Sequence, residues 1–307
     1  MRLITLVIAG AMLMALTAGS ASGQEPSYSR EGADTCIACH DSEEVLALFR
    51  GPHAVPTDPN GPFGHGQLQC EACHGPSGEH TARVRRGQER PSPGALFGSD
   101  AATPVAVQNG LCMDCHTSDT GFGWHGNEHD INDVACADCH TSHTARDPVL
   151  MTSTQPDVCF ECHQQQRTQS LKPYAHPIRQ GKMDCSGCHS THGATSEWQF
   201  ARQTLNDTCF DCHAEKRGPY LWEHAPATED CGLCHDPHGS NHPGMLAMRG
   251  PMLCQSCHSQ EGHPSIPADS DGLPGASPSQ YMLGQNCMNC HTQSHGSNHP
   301  SGSRLMR

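Results

Sequence analysis

Only one stretch of the chain is continuously apolar. Leu3 to Leu16 is broken by Thr5 and Gly10 alone, follows the charged start Met1-Arg2, and runs into the small residues Ala18-Gly19-Ser20-Ala21-Ser22-Gly23. That layout predicts a secretory signal peptide over residues 1–23, cleaved after Ala21 or, better, after Gly23 to leave Gln24 first. The run is shorter than the about 20 apolar residues a membrane helix needs, which weighs against the alternative of an uncleaved anchor. The first cysteine is Cys36, so no lipoprotein anchor is expected at the cleavage site. The mature chain, 24–307, is expected to be exported to the periplasm, water-soluble by itself and without direct lipid contact. Beyond residue 23 the chain between its cysteine motifs is rich in Gly, Pro, Ser and Asp, with Arg90–Pro104 and Ser259–Gln285 the longest such loops. This pattern predicts short helices, long turns and almost no strand.

Composition changes the picture of the interior. A length of 307 residues would ordinarily suggest about two domains, each with a large core. Here there are 3 Trp, 4 Tyr and 7 Phe, and part of the 35% hydrophobic content is cysteine. Something other than side chains must fill the interior. The net charge of −14 excludes the basic face of a nucleic-acid binder.

The 20 cysteines supply the missing material. All fall in C-x-x-C pairs followed at once by histidine: Cys36/Cys39-His40, Cys70/Cys73-His74, Cys112/Cys115-His116, Cys136/Cys139-His140 and Cys159/Cys162-His163, then Cys185/Cys188-His189, Cys209/Cys212-His213, Cys231/Cys234-His235, Cys254/Cys257-His258 and Cys287/Cys290-His291. C-x-x-C-H is the attachment signature of c-type haem. Two thiols on one helical turn reach the two vinyl-derived carbons on one porphyrin edge, and the adjacent imidazole meets the iron from the same side. Disulfides, zinc half-sites and a thioredoxin-like pair do not require histidine after every second cysteine. Ten haem c groups are therefore expected to replace the aromatic core, and without them the chain should be largely unfolded.

Of the 24 histidines, the ten in the motifs are proximal ligands, leaving fourteen. A sixth ligand per iron is the remaining requirement. Methionine is the common alternative distal ligand, but the methionines fall at irregular places and Met113 and Met288 sit inside motifs. Histidine is regularly placed. From Cys112 to Cys254 the motifs recur every 22 to 26 residues and group by twos. Each odd motif is followed by a loop histidine, His53, His129, His176, His224 or His263. Each even motif is followed three to six residues later by His80, His143, His192, His238 or His295. That makes ten distal candidates for ten irons, in five two-haem units of about 30–108, 109–156, 157–206, 207–250 and 251–307. Units contacting mainly their neighbours predict an elongated body. His143, His192 and His238 lie too close to their motif histidine to cross to the other haem face, so they are expected to ligate neighbouring haems. His242 and His299 repeat within His-Gly-Ser-Asn-His-Pro turns, and His65 and His125 flank loops with better-spaced candidates.

Arginine outnumbers lysine 15 to 3, and its planar fork suits carboxylates such as haem propionates. Arg83, Arg85, Arg86 and Arg90 form the only basic cluster, read as a solvated loop, with propionate pairing or docking as the alternative.

The mature chain resembles the MtrA/DmsE family of periplasmic decahaem c-type cytochromes. The resemblance is carried by Cys70–Pro76 (CEACHGP), Asp133–His140 (DVACADCH), Asp207–Pro226 (DTCFDCHAEKRGPYLWEHAP) and His295–Arg307 (HGSNHPSGSRLMR). It implies a thread-like conduit inside a large outer-membrane β-barrel porin. Its partners would be an extracellular multihaem cytochrome and periplasmic or inner-membrane cytochrome donors, serving metal reduction or iron oxidation. The family's distal-ligand pattern matches the ten candidates, while His65 and His125 lack a family counterpart and leave the choice beside His53 and His129 open. A soluble periplasmic carrier is the alternative function. A multihaem reductase would need an open iron position, which ten distal candidates do not leave.

Overall fold

The computed structural model describes residues 27–117, 121–258, 287–300 and 302–306. The signal peptide, the loop Ser259–Gln285 and the distal candidate His263 lie outside them. Regular structure consists of short helical turns. The longest helix among the described residues, Val105–Met113, has 9 residues and ends inside the third motif. The motifs themselves form single turns, α-helical at Cys70–His74 and Cys136–Cys139, and 3-10 at Cys185–Gly187 and Cys231–Leu233. Asp184 and Asp230 start the latter two, accepting from Gly187 N at 3.0 Å and Gly232 N at 2.6 Å. A short polar side chain at that position satisfies an N–H that a helix start leaves orphaned.

Strand content among the described residues is one antiparallel pair, β1 (Trp222–Glu223) with β2 (Gly296–Ser297), in register Trp222 to Ser297. An equivalent single bridge joins Tyr174 to Ser240. Both sit two residues before a loop histidine and two after an even-motif histidine, so they are copies of one joint. The glycine after the even-motif histidine makes that joint possible. Gly193, Gly239 and Gly296 have φ of 111°, 131° and 136°. A Cβ there would collide with Gly123 O, Gln169 O and Tyr220 Cδ2 respectively. Only glycine accepts both the backbone angle and the approach.

The apolar side-chain core is small. Among the described residues the buried hydrophobic ones are Ala33, Ala47, Leu48, Ala95, Trp124, Ala135 and Phe160. Buried amides take over part of the joining. Asn109 (5% exposed) accepts from Cys136 N at 2.8 Å and donates to Val134 O at 3.1 Å. Asn206 accepts from Cys231 N at 2.7 Å and donates to Ala227 and Thr228 O. Gln155 accepts from Ser186 N at 3.0 Å. Each ties the helix of an odd motif to the first turn of the next even motif. In the N-terminal unit the direction reverses, with Gln69 accepting from Ala33 N at 2.5 Å. There the buried Glu71 carboxylate gathers Ser29 N, Ser29 Oγ and Ser77 N.

Candidate haem-binding ladder

The joints and latches bring histidines together in twos. His40 faces His80 at a ring-centre distance of 6.2 Å, His74 faces His143 at 6.2 Å, and His116 faces His53 at 6.0 Å. His140 faces His192 at 5.9 Å, His163 faces His129 at 6.2 Å, and His189 faces His238 at 6.1 Å. His213 faces His176 at 6.4 Å, His235 faces His295 at 6.0 Å, and His258 faces His224 at 6.2 Å. Each of these nine pairs joins a motif histidine to one of the ten distal candidates, none used twice. The distance tests the fit of a haem. With a metal–imidazole bond of about 2.0 Å on either side and about 1.1 Å from each nitrogen to its ring centre, two axial imidazoles stand about 6.2 Å apart. Rings stacked on each other would lie closer, and rings in unrelated pockets would not hold one spacing nine times.

His53 rather than His65 meets His116, and His129 rather than His125 meets His163. His125 is instead 3.9 Å from Asp130, with its side chain 76% exposed. His143, His192 and His238 face the histidine two motifs upstream, never the one beside them in sequence. The loop histidines His53, His129, His176 and His224 face the one two motifs downstream. Spacing predicts that His143, His192 and His238 leave their own haem, but not which motif histidine each one meets.

Tautomers are set by the backbone. Nδ1 of His74, His80, His129, His176, His189, His224, His235 and His291 lies 2.6–3.1 Å from the carbonyl oxygens of Ala95, Pro91, Thr191, Pro237, Trp198, Ser294, Gly244 and Arg304. A carbonyl only accepts, so Nδ1 carries the proton and Nε2 is left with its lone pair for a metal. Three of these carbonyls, at Thr191, Pro237 and Ser294, directly precede an even-motif histidine. One hydrogen bond thus aims one ring and anchors the backbone of the next. Burial, with neighbouring histidines, holds His74, His192 and His238 below the ordinary imidazole range, against the Ala95 carbonyl that pulls His74 upward and the Asp236 charge that pulls His238 upward. Burial favours the neutral ring that can ligate.

The cysteines form a second register. The first cysteines of each two-motif unit lie near enough to act on each other's thiols: Cys36 on Cys70, Cys112 on Cys136, Cys159 on Cys185, Cys209 on Cys231, and Cys254 on Cys287. Between units, Cys73 is within electrostatic reach of Cys112 and Cys115, Cys139 of Cys159 and Cys162, Cys188 of Cys212, and Cys234 of Cys257. The attachment points therefore follow one another in sequence order from the first motif to the tenth.

Cys39 and Cys290 are the second cysteines of the first and the last motif; both are exposed, as are Cys73, Cys115, Cys162, Cys212 and Cys257, and among the described residues the thiols within reach of a neighbouring unit belong to the motifs between them. The reason is position. An end unit has a neighbour on one side only, so its outermost thiol has no further unit to pack against. The motif turn itself is formed at both ends, with Cys39 N donating to Cys36 O at 3.2 Å and Cys290 N to Cys287 O at 3.1 Å. Among the described residues no group of three or more His, Cys, Asp or Glu gathers as a bare metal site.

Comparison with known proteins accounts for this arrangement. A doubled CXXCH motif family matches residues 176–218 and 224–263, and a NrfB-like c-type cytochrome family matches residues 70–156. A multihaem cytochrome MtrA from Shewanella baltica (strain OS185) is 45% identical over 286 residues, covering 92% of this chain and 84% of that protein. This chain belongs to the MtrA family of multihaem c-type cytochromes. It is an electron-transfer protein carrying covalent haem c, and its 20 cysteines fit ten haems. The short helices and long loops are those expected for that class. The doubled-motif match groups the Cys185 motif with the Cys209 motif and the Cys231 motif with the Cys254 motif, one motif out of phase with the 157–206 and 207–250 units. A repeat whose ligands cross between units can be cut in either phase. Sequence reasoning did not single out Asn109, Gln155 and Asn206. An amide three or four residues before an odd motif was the available signal.

Proposed function

We propose that this chain is an electron wire of ten bis-histidine haems that carries electrons between the periplasm and the cell exterior through an outer-membrane β-barrel. When bound, the haems supply a one-electron ferric/ferrous couple, and the chain's residues do everything else. The twenty motif cysteines, from Cys39 with Cys36 at one end to Cys290 with Cys287 at the other, fix each porphyrin edge. His40, His74, His116, His140, His163, His189, His213, His235, His258 and His291 hold the proximal face. His80, His143, His53, His192, His129, His238, His176, His295 and His224 close the distal face of the first nine, in that order. His263 is left for His291.

The observation that carries the reading is the unbroken succession of attachment cysteines in sequence order, from Cys36–Cys70 to Cys254–Cys287. A protein that only stored electrons or docked at one face would not need every haem beside the next. Saturated irons also suit transfer over substrate chemistry, since a reductase needs an open position. A general property of barrels supports the reading: large outer-membrane barrels have polar interiors that admit an acidic rod. Hydrocarbon about 30 Å thick then becomes passable. An exported chain with residues 1–23 removed, divided into five two-haem units, completes the proposal.

The test is a pull-down from detergent-solubilised outer membranes with a C-terminal tag and haem staining. Recovery of a stoichiometric large β-barrel that shields the cytochrome from protease supports the wire. Complete release in osmotic-shock fluid without a partner overturns it in favour of a soluble periplasmic carrier.

A further inference from the structure

In nine of the candidate axial histidines Nδ1 lies within hydrogen-bond distance of an oxygen. Eight end on a backbone carbonyl, and His140 differs. Its Nδ1 lies 2.7 Å from Asp147 Oδ2. The Asp147 side chain is 14% exposed and that of His140 35%. The carboxylate is held from its other oxygen, Oδ1, which accepts from Thr141 N at 3.2 Å and from Val149 N at 3.3 Å. The second of these starts the turn Pro148–Leu150, whose proline ring fixes the chain just beyond Asp147. Asp147 is therefore oriented by backbone before any haem is considered. A neighbouring carboxylate beside a different motif histidine does not reach: Glu215 Oε1 is 3.8 Å from His213 Nδ1, and both side chains are more than half exposed.

We propose that Asp147 is a positioning residue that keeps His140 electron-rich and thereby lowers the reduction potential of the fourth haem below the value its ligands alone would set. A carboxylate accepting from the ring N–H draws the proton outward and leaves Nε2 a stronger donor. A stronger donor favours ferric over ferrous iron, one of the levers by which a protein sets haem potential. The burial of Asp147 keeps the bond from being exchanged with water. It also faces a second ligand, because its charge reaches His53, the partner of His116. The third and fourth haems, whose motifs meet through Cys112 and Cys136, would thus share one buried anion at a thermodynamic step inside the wire. This inference rests on reading His140 and His192 as one axial pair.

The test is a spectroelectrochemical titration of the holoprotein with Asp147→Asn, which keeps an acceptor but removes the charge. The oxidation equilibrium of one haem is expected to shift about tenfold toward the ferrous form, about 59 mV upward for a one-electron couple. One low-spin ferric species in the paramagnetic resonance spectrum should change with it. Asp147→Glu should restore part of both. Asp138→Asn removes a charge from the same motif, where it accepts only from Ala135 N at 2.8 Å, and should shift potentials less. If Asp147→Asn fails to accumulate, the wild-type spectrum decides: one of its low-spin species must have the compressed anisotropy of an imidazolate-like ligand. A titration and spectrum unchanged by Asp147→Asn, or the absence of that species, overturns the proposal. His192→Ala separates this from failure of the axial assignment. Loss of one low-spin haem in that variant keeps the pair intact even where Asp147 proves silent.

Discussion

In the N-terminal unit the ring facing His40 is His80, carried by the second motif of the same unit. In the interior, from His116 to His258, every motif histidine faces a ring from a neighbouring unit. The end is closed on itself by side-chain groups. Glu71 collects three donors, Nδ1 of His80 bonds Pro91 O at 2.7 Å, and Arg90 donates to the His80 and Ala82 carbonyls. The interior is closed by backbone joints around His-Gly and by ligands exchanged across them. A terminal unit has a neighbour on one side only, so it must supply its own last ligand. An interior unit has two, and by trading ligands it turns haem binding into assembly. The same coordination bond is local at the end and structural in the middle.

The sharpest test removes one distal ring from each region. His192→Ala and His80→Ala should each convert one haem of the ten to high spin, read from the ferric spectrum. Their stabilities should differ. His192 also packs against Trp124 at 6.2 Å and lies at the Gly123–Gly193 crossing, so its loss should cost about 2–5 kcal/mol and lower the melting midpoint of the whole holoprotein. His80 is tied only within its own unit, and its loss should leave the rest of the transition in place. Equal destabilisation by the two variants would break the comparison.

Backbone substitutions sharpen it further. Gly239 and Gly87 both have left-handed φ, 131° and 87°. A Cβ on Gly239 would collide with Gln169 O, whereas nothing lies within 4 Å of one on Gly87. Gly87→Ala in the N-terminal loop should cost about 1–2 kcal/mol from the angle alone. Gly239→Ala must also part the joint, and should exceed about 3 kcal/mol. Comparative denaturant melts of the two holoproteins check this.

These variants mark what the sequence could and could not say. The motifs, a cysteine number that fits ten haems and the small side-chain core were legible because covalent attachment fixes residue type and spacing together. The same spacing hid which thiols come near each other between units, because every motif reads alike. Nine of the ten distal candidates, all but His263, recur with the repeat and stand opposite a motif histidine. The partner of each was not legible, since a histidine three residues after a motif is excluded from its own haem without being told which other one it meets. That choice is made at the joints, by carbonyls such as Thr191 and Pro237 that carry no side-chain signature. The amide latches were invisible for a related reason. Asn109 and Asn206 look like ordinary polar helix residues until the even motif folds back onto them.

The latches give the next effect in size. Asn206→Ala leaves Cys231 N and the Ala227 and Thr228 carbonyls to find other partners at a site where Asn206 is 7% exposed. A buried unsatisfied donor costs about 1–3 kcal/mol. Amide hydrogen exchange should quicken at Cys231 and Gly232 with the haem spectrum unaltered, because no ligand is touched. A change in spin state here would mean that the latch also holds the ring of His235.

The smallest effect is expected at His125, and it bears on the whole ligand scheme. His125 sits close in sequence to His129, has the same chemistry, and precedes it in the same loop. Only position separates them. The ring of His129 is 6.2 Å from that of His163 with its Nδ1 on Thr191 O, while His125 points at Asp130 across 3.9 Å with most of its side chain in water. A polar contact that long and that exposed contributes little in solution. His125→Gln should therefore change stability by no more than about 0.5 kcal/mol and leave all haems low-spin. His129→Gln, in contrast, should produce one high-spin haem. Were His125→Gln to do so instead, the loop would have to be threaded the other way, and the crossing of ligands between the second and third units would lose its first strand.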